Sequence, residues 1–300
     1  MAIGGGGPSK ETWFPGDPRL PDTRPTSKVL GSLRAEGAKG VLIAVVSTIV
    51  VLGLIVVTVT RSASWPQFKA LFFNGQEFRE TLPDVARRFL LNVELSLVCE
   101  VFILAIALLL AVMRSLPGPV FFPLRTMAIV YTDLFRGIPT IMVVYLLGFG
   151  IPGLEIRGLP RSSLFWAAVA LVLTYSAYVA EVYRAGIESV HPSQAAAARS
   201  LGLTRGKTLR FVVIPQAVRR VIPPLLNDFI GLQKDTALVS VVSVTAEAFK
   251  QSQIESSADF NYTPIVVAAL LFVLLTIPMT RFVDWLVARE RAKRQTGTGL

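Results

Sequence analysis

Residues 188–224 read ESVHPSQAAAARSLGLTRGKTLRFVVIPQAVRRVIPP, a basic, helix-forming insert between hydrophobic runs. Ser193 is a good helix N-cap, and the alanines at 195–198 are the strongest helix formers available. Gly202 can take the left-handed conformation that ends a helix. Thr204 can cap a second helix, which Pro215 would bend or interrupt. The stretch reads as helix, tight turn, helix. Its small side chains would let another surface approach closely. The same composition would also serve a helix that merely joins two spans.

The rest of the chain says where such an insert sits. Hydrophobic residues make up 52% of the 300, and charged residues only 17%. A soluble core cannot use that much apolar surface, so the chain is a polytopic membrane protein. The net charge of +10 then marks cytoplasmic loops rather than nucleic-acid binding. The single cysteine, Cys99, excludes an internal disulfide and lies in an apolar run as a packing residue. Residues 1–39, rich in Gly and Pro, are expected to form a disordered cytoplasmic tail. Residues 40–60 carry no charge. They are too long for a signal-peptide core, so they read as a retained transmembrane anchor, with cleavage after 62–64 as the alternative.

A membrane helix needs about 20 mostly apolar residues. Beyond the anchor, five stretches qualify: Phe89–Met113, Thr126–Gly150, Ser162–Val182, Val221–Ala246 and Phe260–Val287. The fourth is the weakest, because Asp228, Lys234 and Asp235 fall inside it, and it could end early near Gly231. With both termini in the cytoplasm, 20 of the 30 Lys and Arg fall inside (Arg281 counted with the C-terminal segment) and nine outside. That bias fits six spans and puts the 188–224 insert in the cytoplasm. The expected organisation is a tail (1–39), an anchor (40–60), an external linker (61–88), a transmembrane domain (89–287) and a cytoplasmic C-terminal tail (288–300).

Several segments share a pattern. Ala196-Ala197-Ala198, Gly202 and Val212-Val213-Ile214-Pro215 have the spacing of the EAA motif of bacterial ABC importer permeases, with Ala196 at its opening Glu. Leu90–Leu97, Tyr131–Pro139 (YTDLFRGIP), Glu181–Ile187 (EVYRAGI), Leu225–Ile230 (LLNDFI) and Lys234–Leu238 (KDTAL) resemble, in order, further segments of the polar amino-acid uptake branch. The resemblance covers roughly residues 89–287. It implies an all-α membrane protein of about six transmembrane helices: a five-helix permease core, an added N-terminal helix, and cytoplasmic coupling helices.

The resemblance further implies a permease subunit of an ATP-driven importer in the bacterial inner membrane. Its partners would be two ATP-binding subunits, a second copy or related permease, an extracellular or periplasmic solute-binding protein, an amino-acid substrate and the lipid bilayer, with no nucleic acid. ATP and Mg would bind the partner subunits, and this chain would hold no cofactor. Gln194, Ala196, Ala197, Ala198, Arg199, Gly202 and Pro215 would form the ATPase-docking loop. Without the motif Glu, contact through Ala197, Ala198 and Gly202 can survive, and Arg199, Arg205 and Arg210 could supply polar contacts.

Gly202–Thr208 (GLTRGKT) is one residue short of a phosphate loop and follows a helix rather than a strand. His191 is the only histidine and has no metal-ligand companions, so it reads as a surface residue of the loop. No spacing suggests a nucleophile–base pair or a metal site. Ionisable groups in membrane spans are costly and often functional. Asp133 and Arg136, three apart, share a helix face and could pair; Gly137 and Pro139 mark a break in that helix. Asp133, Arg136, Tyr175, Tyr178, Asn227, Asp228, Lys234 and Asp235 could line a transport path. A stand-alone ion-coupled carrier is the alternative function, but it usually shows two matching halves, and no internal repeat is seen. A scaffold whose loop recruits a cytosolic protein is a third.

Overall fold

A computed structural model describes residues 27–242 and 247–295, which are mostly helical and contain no strand. They fall into two compact units, one ending at Trp65 and the other starting at Pro66. The first holds α1 (Ser27–Thr60). Its Lys39–Thr60 part is long and apolar enough to cross a membrane, with every side chain there exposed. Residues 27–39, assigned by composition to a disordered tail, extend this helix instead; their Leu, Arg, Ala, Glu and Lys are good helix formers. Residues 1–26 of the expected tail lie outside the described residues.

The second unit starts with α2 (Trp65–Phe72) and α3 (Gly75–Ser115). The 61–88 segment, expected as an external linker, is therefore largely helical. Asn74 caps α3 by accepting from the Gln76 and Glu77 N–H groups. The Tyr262 N–H donates to the Leu71 carbonyl at 2.8 Å. Val85 is buried with Ala248, Val267 and Ala268. This end of α3 is thus part of the packed domain.

The stretch expected as one span at 126–150 is two helices, α4 (Phe122–Gly137) and α5 (Thr140–Gly153), bent by 100°. Pro139 has no N–H and pushes its predecessor out of the helical region. Ile138 is extended, at φ −96° and ψ 129°. α6 (Ser163–Glu188) is capped by the Ser162 side chain and packs against α3, α4, α5 and α9 (Ile214–Asp235). Its small residues Ala167, Ala170, Ala177 and Ala180 are fully buried. A Cβ on Gly186 would come within 1.9 Å of Val221 Cγ1, so α9 lies directly against the α6 backbone there.

The expected 221–246 span begins earlier and does not run on as one helix. α9 ends at Asp235 and gives way to a 3-10 segment, Thr236–Val241; residues 243–246 are outside the described set. Four described helices are long and apolar enough to cross a membrane, or five if the bent α4–α5 pair counts as one span. α9 carries Arg219, Arg220, Asp228, Lys234 and Asp235, and the last three make 221–246 the most charged of the six expected spans. α10 (Ala248–Asp259) is capped by Glu247, and α11 (Thr263–Gln295) continues past the expected span into the segment assigned to the C-terminal tail. Residues 296–300 of that tail lie outside the described residues.

A buried polar cluster holds the 3-10 segment to α3. The Asn92 amide donates to Thr236 Oγ1 (3.1 Å) and Glu247 Oε2 (2.9 Å). Its carbonyl accepts from the Ala248 N–H (3.2 Å), and Ser96 bonds Gln233. Asn92, Ser96, Gln233, Thr236 and Glu247 are all buried. In a low dielectric such a network rigidifies if satisfied and is costly if broken. Cys99 packs in the main core with Ile103, Ala107 and Leu171, as the sequence suggests.

Gly186→Ala should lower the unfolding temperature in detergent, by roughly 1–3 kcal/mol of overpacking against the stiff Val221. Val221→Ala should restore part of that loss. A Gly186→Ala protein as stable as the parent would refute the close approach. Burial pushes the Glu247 carboxyl above its ordinary value of 4.5, against donors from Phe249, Asn92 and Lys250 that favour the carboxylate. The folded chain then holds this proton where the unfolded chain has released it. Its stabilising contribution is complete below 4.5 and is lost as pH rises through the raised folded value. Glu247→Gln should flatten that decline, and an unchanged pH profile of unfolding would contradict it.

Candidate functional site

The insert quoted above forms α7 (Pro192–Ser200), a turn, and α8 (Arg205–Thr208). The α7 cap is His191 rather than Ser193: His191 Nδ1 accepts the Ser193 N–H, and Pro192 occupies the first turn, where its missing N–H costs nothing. The exit is a Schellman turn. The Leu203 N–H donates to the Ala198 carbonyl (3.2 Å), and the Gly202 N–H to the Arg199 carbonyl (3.0 Å). Gly202 sits at φ +89° with open space around its missing Cβ, so conformation rather than crowding calls for glycine here. Thr204 caps α8. The helix then opens into one π turn, Leu209–Val213, so that the Ile214 N–H reaches the Leu209 carbonyl just before Pro215 enters α9. A wider turn relieves the clash that Pro215 would have with residue 211 in a regular helix.

Gln194, Ala196, Ala197 and Arg199 are exposed on α7, and Gly202 is exposed after it. Ala198, expected in the same contact surface, is buried against the body of the protein instead. Pro215 is exposed at the start of α9, as a helix-start residue. Leu201, not singled out in the sequence, is 82% exposed beside Gly202. An apolar residue before a helix-ending glycine is too common to flag from sequence.

The second cluster lies along α6. Tyr175, 9% exposed, donates its hydroxyl to Asp235 Oδ2 at 2.9 Å. Its ring meets that of Tyr178, and the Arg136 guanidinium lies 5.9 Å from the Tyr178 ring centre. Arg136 also reaches Glu181 at 4.0 Å. Glu181 is held by Arg114 at 3.2 Å and by Arg184, which also pairs with Glu188. Tyr175, Tyr178, Glu181 and Arg184 are spaced by three, so each neighbours the next and the row winds around α6 rather than keeping to one face. Beside it, Asp228 is half-buried with an unpartnered Oδ2 and lies near enough to Glu100 for their charges to repel. The structure therefore joins Tyr175, Tyr178, Asp228, Asp235 and Arg136, while Asn227, Lys234 and Asp133 are exposed.

The expected Asp133–Arg136 pair does not form; Arg136 turns to Glu181, which already has a shell of cations. Arg114, one residue past the expected Phe89–Met113 span, is not among the candidates read from the sequence. Its position at the end of α3, where it can reach α6 and Thr132 of α4, depends on helix packing that sequence spacing does not reveal.

Comparisons with known proteins place this architecture. Residues 103–292 match the family model for the binding-protein-dependent transport system inner membrane component. The probable glutamine ABC transporter permease protein GlnM of Bacillus subtilis is 35% identical over 63% of this chain and 83% of its own length. The arginine transport system permease protein ArtQ of the same organism is 32% identical over 71% of this chain and 96% of its own. The crystal structure of an amino acid ABC transporter with histidines superposes with a TM-score of 0.63 at 30% identity, covering 69% of this chain and 94% of that one. An inward-facing MetNI methionine ABC transporter shares the fold, at a TM-score of 0.55 and 19% identity. This chain belongs to the family of inner membrane components of binding-protein-dependent transport systems and is an ABC importer permease.

Proposed function

We propose that this permease imports polar amino acids, taking them from an external solute-binding protein and releasing them to the cytoplasm as partner subunits hydrolyse ATP. Both termini and the α7 loop lie on the cytoplasmic side, and α1 is an added anchor ahead of the transport core. A second permease, identical or related, completes the path, and two ATP-binding subunits dock on the α7 loops with ATP and Mg held between those subunits. The observation that carries this is the α7–Gly202 turn: a capped helix with an exposed small-residue face, locked at both ends, on a chain of permease family. A rigid element of this kind can pass motion of a docked ATPase to α6 and α9, as alternating access requires. The names of the relatives support the substrate class. Asp235 of α9 and the α6 row from Tyr175 to Glu181 supply the polar lining that an amino acid needs within the membrane.

Ala197→Arg puts a long charge on the exposed face of α7 without disturbing its caps. Co-purification of the partner ATPase from membranes should fall by at least about tenfold, roughly 1.4 kcal/mol. If the ATPase binds this variant as well as the parent, α7 is not the docking element. In proteoliposomes containing the binding protein and ATPase, Asp235→Asn should cut uptake of labelled glutamine, glutamate or arginine by about tenfold or more. ATPase docking should remain intact in that variant. Uptake that persists with a catalytically dead ATPase and collapses with an ion gradient would replace this function with that of a stand-alone carrier.

A further inference from the structure

A cavity of about 580 Å³ lies beside the α7 loop, between the ends of α3, α6 and α9. Its walls include Leu108 and Val112 of α3, Ile187 of α6 and Val218 of α9, each 42–55% exposed. Large apolar side chains facing a shared space call for an apolar occupant. At the loop end the character changes. Arg199 of α7 and Arg205 of α8 line the cavity, and neither has a carboxylate partner among the described residues. Thr208 also lines it, is 96% buried (4% exposed), and its hydroxyl has no hydrogen-bond partner.

We propose that this cavity holds an acyl chain of an anionic phospholipid from the adjoining leaflet, with Arg199 and Arg205 meeting its phosphate. The walls belong to membrane helices and the cations to the loop that leaves them, so the order of apolar to charged surface follows that of a lipid from tail to headgroup. Basic pockets between membrane helices at the cytoplasmic face recognise anionic headgroups in this way. The Thr208 hydroxyl can donate to a headgroup or ester oxygen. A lipid so placed would wedge between α7 and the transport helices and fix the docking loop relative to α3 and α9. The assignment rests on the permease reading above for the side of the membrane, but not on ATP coupling.

The test uses the full chain, purified alone and with its ATPase, exposed to equal phosphatidylglycerol and phosphatidylcholine. Lipid retained after delipidation is counted by native mass spectrometry. The parent should retain phosphatidylglycerol over phosphatidylcholine by about tenfold. Arg199→Gln with Arg205→Gln should abolish that preference, and Val218→Trp, which fills the apolar part, should displace both lipids. The control pair Arg281→Gln and Arg289→Gln, on α11, should leave retention unchanged. Equal retention of the two lipids by the parent, or unaltered retention in both cavity variants, would overturn the proposal. So would loss of bound lipid on adding the ATPase, which would give the cavity to a protein segment. The lipid preference is read first on the permease alone, so a failure of ATPase docking sinks the transport reading without touching this one.

Discussion

In hydrocarbon a helix can be interrupted only where protein groups take over the backbone hydrogen bonds it abandons. That constraint governs where this fold is irregular. The break at Ile138–Pro139 removes a donor that proline does not have and leaves the Ile138 N–H bonded to the Leu134 carbonyl. The 3-10 segment after Asp235 is sheltered by Asn92, whose amide reaches both Thr236 and Glu247. The π turn before Pro215 removes a clash while keeping the chain helical. Each departure from the α-helix has a side chain or a proline that accounts for it.

Given those breaks, α6 becomes the axis of the domain. It is the helix that touches α3, α4, α5 and α9, and it does so with alanines and a glycine on its buried faces. Small residues let helices approach closely where hydrophobic burial supplies no driving force between them. The same helix carries the polar row of Tyr175, Tyr178, Glu181 and Arg184, which winds around it. Packing and polar function are thereby fixed together: a shift of α6 against α9 at Gly186 moves the polar row with it.

Much of this was legible in the sequence because it is local. The turn at Gly202, the cap at Thr204 and the break at Pro139 each follow from one residue's backbone preference. Ser193 misled because Pro192 fits the first turn of a helix better than the position before it, which moves the cap to His191. The helices at 40–60 and from Thr263 onward, long and apolar enough to cross a membrane, were legible from uncharged length alone. The 221–246 span was not, because its apolar content does not register that Thr236–Val241 is wound more tightly around Asn92. Asp133–Arg136 misled for a related reason. Spacing of three gives proximity on one helix, but Glu181 on another helix offers Arg136 a site already organised by Arg114 and Arg184.

That cluster also bears on how motion at the loop could reach the membrane. Glu181 ties α3 through Arg114, α4 through Arg136, and its own helix through Arg184. It lies about two turns before the end of α6 at Glu188, and α7 begins shortly beyond, at Pro192. One carboxylate shared among three cations can trade partners without being left unpaired, whereas a single pair must break to move. Breaking a partly buried pair outright costs several kcal/mol. A shared acceptor lets α3, α4 and α6 change their relative positions with the charge compensated throughout. Alternating access, as proposed for this permease, calls for a joint with that property between the α7 loop and the polar row of α6; Glu181 and Arg114, which also reaches Thr132 of α4, are described groups placed across those three helices.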